Sequence, residues 1–205
     1  MQTNASKIKP SYLGLLNAIS LAESSAGVYL RAWADATQDE DLAATLRLVA
    51  ARESSHGELF CRRLCELGYE LRQKPDPKAS ALLAKYANPD ISDCEKVGEA
   101  REETGDPFRE IKAQLEDGVF DPMTANMLTW YIAEERDSGK RLKLAYDCVR
   151  EKAGVGSAKS ARSNGHAPEM NGSGPSADAE AIMACMSAGF GRLEKSLEKL
   201  ARAVK

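Results

Sequence analysis

Apolar residues along the first 150 positions recur at intervals of three and four, and no stretch alternates convincingly with period two. That spacing is the mark of amphipathic helices, so an all-α fold is expected. The pattern predicts a first helix over about 11–37 and a second over about 41–67, followed by short helical pieces near 78–87. A third long element spans about 91–117, interrupted at Gly105 and Pro107, and a fourth helix runs over about 122–152. Asp39 or Asp41 suits the N-cap of the second helix, and Gly68 stands where a glycine stop is expected. Pro122 is compatible with a first helical turn, whereas Asp106 ahead of Pro107 favours a break or a new start. Four long helices joined in antiparallel pairs make a four-helix bundle over residues 1–152.

The pattern then changes. Residues 153–178 are dominated by Gly, Ser, Ala and Pro, with almost nothing to bury, and read as a flexible linker. Residues 179–205 carry Met183, Met186, Phe190, Leu193, Leu197, Leu200 and Val204 at alternating spacings of three and four. This narrow seam is a coiled-coil pattern, so a detached C-terminal helix for association is expected. It would pair with another copy, giving a homo-oligomer, or seat in the groove of a protein partner. Its polar face mixes Arg192, Glu194, Lys195, Glu198, Lys199 and Arg202, which argues against a membrane anchor.

Three polar residues interrupt the apolar rows. The inward row of the second helix reads Leu42, Leu46, Val49, Glu53, His56, Phe60, Leu64, Leu67. On the first helix it reads Tyr12, Leu16, Ile19, Glu23, Ala26, Leu30, Trp33. A carboxylate or imidazole in such a row is costly unless something binds it. Glu53 and His56 are three residues apart, so their side chains converge. With the turn near 37–41, Glu23 and Glu53 reach similar depth. Hard oxygen donors and one imidazole suit iron or manganese.

A Glu on one helix facing Glu-x-x-His on its partner is the half-site of a bundle dimetal centre. On Glu23 and the run Glu53-Ser54-Ser55-His56, the chain resembles the ferritin-like superfamily, nearer to rubrerythrins and related bacterial ferritin-like proteins than to classical ferritins. The resemblance covers residues 10–150 as architecture and the first two helices as motif. It implies oxygen or peroxide reduction coupled to iron oxidation, a ferroxidase or peroxidase type of role in iron handling and oxidative stress. The family's second half-site maps onto the fourth helix. There Glu135 gives the inward row Leu128, Tyr131, Glu135, Ser138, Leu142, Tyr146, Val149, whereas Glu134 would place Arg141 inward. The second histidine position is then Ser138, and the third helix offers only Thr104 at ligand depth, with Glu102 and Glu103 flanking it. The expected metal ligands are Glu23, Glu53, His56 and Glu135, enough for one ion and marginal for two. Two chains sharing half-sites across a dimer would be another solution. No CxxC pair of the kind rubrerythrins use for electron delivery is present. The linker and apolar tail also resemble the way some ferritin-like proteins are tethered to a shell.

Composition narrows the alternatives. The 28 basic and 31 acidic residues give a net charge of -3, which argues against nucleic-acid binding. No run of apolar residues approaches the roughly 20 needed to span a membrane, and the N-terminus lacks a signal-like segment. Five cysteines without a paired motif point to a reduced, cytoplasmic setting. Of the two histidines, His166 falls in the linker, leaving His56 as the imidazole of the bundle. Cys61 and Cys65 read as small buried residues, Trp33 and Trp130 as core or rim packing rather than an electron relay, and Arg62, Arg63, Arg72 and Lys74 as a solvated helix end. The competing function is a metal-free interaction module in which Tyr29, Tyr131 or Arg52 satisfies the buried carboxylates by hydrogen bonds, and the tail helix recruits a partner.

Overall fold

A computed structural model describes residues 9–73, 76–98 and 106–154. Among these the fold is all-α, with no strand. Three long helices, α1 (Leu13–Ala36), α2 (Glu40–Glu66) and α6 (Pro122–Lys152), are accompanied by the short helices α3 (Ala79–Ala87), α4 (Asp93–Val97) and α5 (Arg109–Glu116). The expected third long element, interrupted at Gly105 and Pro107, is represented among the described residues by the two short helices α4 and α5. Gly98 ends α4 at φ 69, a left-handed conformation that stops a helix, and the next helix among the described residues starts at Arg109. A fourth long helix is not present among the described residues. The linker beyond Gly154 and the tail over 179–205, with His166, lie outside them.

Local chemistry sets the boundaries. The Asp39 carboxylate accepts from the Leu42 N–H at the start of α2, and Gly68 at φ 88 follows its end. Asp121 caps α6 by accepting from the Met123 and Thr124 N–H groups. The same carboxylate accepts from the Tyr12 hydroxyl (2.6 Å) and from Arg63 Nη2 (2.7 Å). It therefore ties the starts of α1 and α6 to the end of α2, and these partners hold its pKa well below the usual carboxylate range although burial opposes the shift. Arg63 is accordingly not part of a solvated helix end: its guanidinium also donates to Thr124 Oγ1 at 3.0 Å. At the other end, Asp93 of α4 accepts from Trp33 Nε1 (2.7 Å) and Thr37 Oγ1 (2.6 Å).

Helices α1 and α2 run antiparallel and approach closely along small residues. A Cβ at Gly57 would lie 2.9 Å from the Ser24 backbone nitrogen, and one at Gly27 would lie 3.1 Å from the Ala50 carbonyl oxygen. Gly27, rather than the expected Ala26, is therefore the residue of α1 that turns into the contact. Helix α6 is antiparallel to α2, pairing Arg52 with Asp137 and Arg63 with Asp121. Among the described residues, α1 alone is long and apolar enough to cross a membrane, with a mean hydropathy of 1.2 over its most apolar window. Here the face bearing Leu16, Ile19, Leu30 and Trp33 is buried in the bundle.

The buried apolar residues form two separate cores. One gathers Leu16, Ile19, Phe60, Leu64, Phe108, Ile111 and Leu128 toward one end. The other gathers Leu30, Trp33, Leu46, Val49, Leu142 and Tyr146 toward the other. Along every long helix the switch between them falls at a polar residue: Glu23 on α1, Glu53 and His56 on α2, Glu135 and Ser138 on α6.

Candidate metal centre

The layer between the two cores is a buried polar cluster. Glu23, Glu53, His56 and Glu135 each place one potential ligand atom so that all four lie within 4.8 Å of one another. Their exposures are 1%, 0%, 0% and 0%. The four residues singled out from the sequence are thus brought together, by one mechanism: a polar residue in an inward row of period 3.6 must face the bundle interior.

Each side chain has a definite partner pattern. Tyr131, fully buried on α6, donates its hydroxyl to Glu23 Oε1 at 2.6 Å. His56 Nε2 lies 2.9 Å from Glu134 Oε2, at the solvent edge of the site. His56 Nδ1 faces the other carboxylates, 3.1 Å from Glu135 Oε1 and 3.9 Å from Glu53 Oε2. The 3.1 Å approach is an ionic contact off the hydrogen-bonding direction of the ring, so Nδ1 remains without a hydrogen bond. Six donor atoms are left in this state: Glu23 Oε2, both Glu53 oxygens, both Glu135 oxygens and His56 Nδ1.

Electrostatics follow from burial and crowding. Burial raises the pKa of Glu23 well above its ordinary value, and the neighbouring Glu53 raises it further. Glu53 is raised by burial, and Glu135 is pushed up to about 7 by burial and by the charge of Glu23. For His56 burial works in the opposite direction, but Glu135, Glu53 and Glu134 prevail and push it up to about 10. Like charges held this close cannot all ionise unless a cation joins them.

Ser138, the expected second histidine position, is wholly buried. Its hydroxyl accepts from Arg52 Nη1 at 3.2 Å, and the same nitrogen donates to Asp137 Oδ2 at 2.7 Å. Arg52 thereby reaches Ser138 rather than the orphaned carboxylates. Tyr29 stacks on Tyr86. Tyr131, another of the candidate hydrogen-bond partners, reaches a cluster carboxylate and satisfies one oxygen, Glu23 Oε1. Thr104, Glu102 and Glu103 lie outside the described residues. Glu134, whose place beside the inward row did not mark it out, meets the His56 imidazole from the rim.

The donor set fits a divalent transition metal. Three carboxylates and one imidazole match the oxygen and nitrogen preferences of iron or manganese. The Glu134–His56 contact engages Nε2 and leaves Nδ1 as the ring nitrogen facing the carboxylates, where it would coordinate a metal on losing its proton. Comparisons with protein families, with curated proteins and with solved structures give no match to this chain.

Proposed function

We propose that this chain is a ferritin-like metal-binding protein that holds one iron ion, or manganese in its place, through Glu23, Glu53, His56 and Glu135. The observation that carries this reading is a buried cluster in which Glu23, Glu53, His56 and Glu135 each bring one ligand atom within 4.8 Å of the others, while six of their side-chain atoms make no hydrogen bond. An unsatisfied buried polar group costs about 1–3 kcal/mol, so these crowded carboxylates need either shared protons or a cation. A metal ion satisfies them together and removes the repulsion among the carboxylates.

Bound iron would supply redox chemistry toward dioxygen or peroxide, as the resemblance to rubrerythrin-like proteins implies. The chain's own residues supply the setting. Tyr131 holds Glu23 Oε1 and leaves Oε2 free. Glu134 orients the imidazole through Nε2. Phe60 and Phe108 pack edge-on against Tyr131 and help keep bulk water out of the cluster. One ion rather than two is favoured by Ser138, which is engaged by Arg52 and offers no imidazole.

The test is a thermal melt of the metal-free protein, anaerobically, with and without ferrous iron or manganese. Binding to the folded state alone raises stability by about 2.7 kcal/mol at a metal concentration of one hundred times Kd. The reading predicts a clear upward shift in wild type and none in Glu53→Gln. An unshifted melt in both would contradict it and leave the cluster as a protonated network inside a scaffold.

A further inference from the structure

The two tryptophans have opposite surroundings. Trp33 is wholly buried, donates through Nε1 to Asp93, and stacks on Tyr86 and Tyr146. Trp130 on α6 is 46% exposed. Its ring stands edge-on to the His56 imidazole, with centroids 5.3 Å apart and planes at 86°. The other aromatic ring seen against His56 is that of Tyr131, which is wholly buried. Among the described residues, then, Trp130 is the aromatic that touches the ligand imidazole and also meets solvent. Trp130 lines a groove between α2 and α6, of about 650 Å³, together with Ser55, Leu59, Arg62, Asn126 and Met127.

The cluster itself is closed. Its four ligand residues are at most 1% exposed, so an oxidant or reductant too bulky to enter cannot touch a metal held there. Electrons exchanged with such a carrier must cross through side chains. Indole is among the most readily oxidised side chains, and its π-system here contacts the imidazole directly.

Resting on the metal site proposed above, we propose that Trp130 is the one-electron relay between the buried metal and bulky one-electron carriers that reach the α2/α6 groove. In the oxidising direction one electron leaves ferrous iron, passes through the His56 imidazole and the Trp130 indole, and reduces the carrier by one unit. The iron becomes ferric, and no covalent bond is made or broken. Hydrogen peroxide and dioxygen, small enough to react at the metal without the relay, serve as the comparison.

The test compares wild type with Trp130→Phe, which keeps an aromatic ring against His56 but is far harder to oxidise. Both are loaded anaerobically with ferrous iron, and metal content and melting temperature are measured. Each is then mixed in a stopped-flow instrument with ferricyanide, an outer-sphere one-electron oxidant, and separately with hydrogen peroxide. The relay predicts that W130F retains its iron, is oxidised by peroxide at the wild-type rate, and is oxidised by ferricyanide more slowly by about tenfold or more. Iron loading should also quench indole fluorescence in wild type and leave the remaining Trp33 emission of W130F nearly unchanged. Should W130F fail to hold iron, the exposed indole of the metal-free wild type is oxidised chemically before loading, with Trp33 protected by burial, and the same selective slowing is expected. Wild-type ferricyanide rates after removal or modification of the indole overturn the relay while leaving the metal site intact. Parallel slowing with peroxide overturns it in favour of a packing role. Absence of retained iron in wild type overturns the relay and the metal-site reading together.

Discussion

His56 Nε2 and Glu134 Oε2 lie 2.9 Å apart, and this contact determines what the buried imidazole can do. With Nε2–H given to Glu134, Nδ1 is the ring nitrogen that faces Glu53 and Glu135, and it would bind a cation on losing its proton. Glu134→Ala should therefore leave all four ligands in place yet weaken metal binding by roughly 10–100-fold. Isothermal titration with ferrous iron or manganese measures this. Unchanged affinity would mean that Glu134 plays no part in orienting the ring.

The carboxylates of the cluster oppose folding when no metal is bound. Glu53→Gln keeps the shape and removes one charge from a site with several orphaned oxygens. Its metal-free melting temperature should equal or exceed that of wild type, while the metal-induced shift disappears. A structural carboxylate would give the opposite result, destabilisation that is indifferent to metal.

Metal binding should strengthen with pH. A metal must displace protons from Glu135, whose pKa is raised to about 7, and from His56, raised to about 10. Each proton released adds about one logarithmic unit of affinity per pH unit. Metal-free stability moves the other way. A Glu135 pKa raised in the fold gives stability that is lost as pH rises from its unfolded value through about 7. The raised His56 pKa gives stability that is present below its unfolded value and lost as pH rises through about 10. The melting-temperature increment from metal should thus be larger at pH 8 than at pH 6. An increment that shrinks over this interval would contradict the assigned ligands.

Asp121 joins three helices through one carboxylate, and its loss should be felt globally. Asp121→Ala removes the α6 cap and leaves Arg63 and Tyr12 without their partner. The expected cost is about 2–3 kcal/mol, from a lost cap and a lost charge-assisted hydrogen bond. Chemical denaturation measures it directly. A cost below about 0.5 kcal/mol would show that these contacts are solvated equivalents of surface pairs.

Much of this arrangement was legible in the sequence, because the long helices are two-sided. The rows of α2 and α6 that alternate apolar and polar by spacing are the faces found buried, apart from Leu67, which is half-buried at the end of α2. Glu23, Glu53, His56 and Glu135 could be picked out for that reason alone. What spacing could not show depends on single contacts. Glu134 lies one residue off the inward row and acts from the rim. Gly27 displaces Ala26 because only a residue without a side chain fits against the Ala50 carbonyl and Ser54. Arg63 is drawn inward by Asp121, a partner 58 residues away. The third helical element breaks at Gly98, where the backbone turns to a positive φ that composition alone does not announce.

The most direct test of the central claim is the stoichiometry of tightly held metal. Wild type and the double variant Glu53→Gln/His56→Gln are loaded anaerobically with ferrous iron, desalted and assayed by elemental analysis against protein concentration. The account predicts about one ion per wild-type chain and essentially none in the variant, since four ligand side chains suit a single site. Equal retention by the two proteins, or none by wild type, would contradict it.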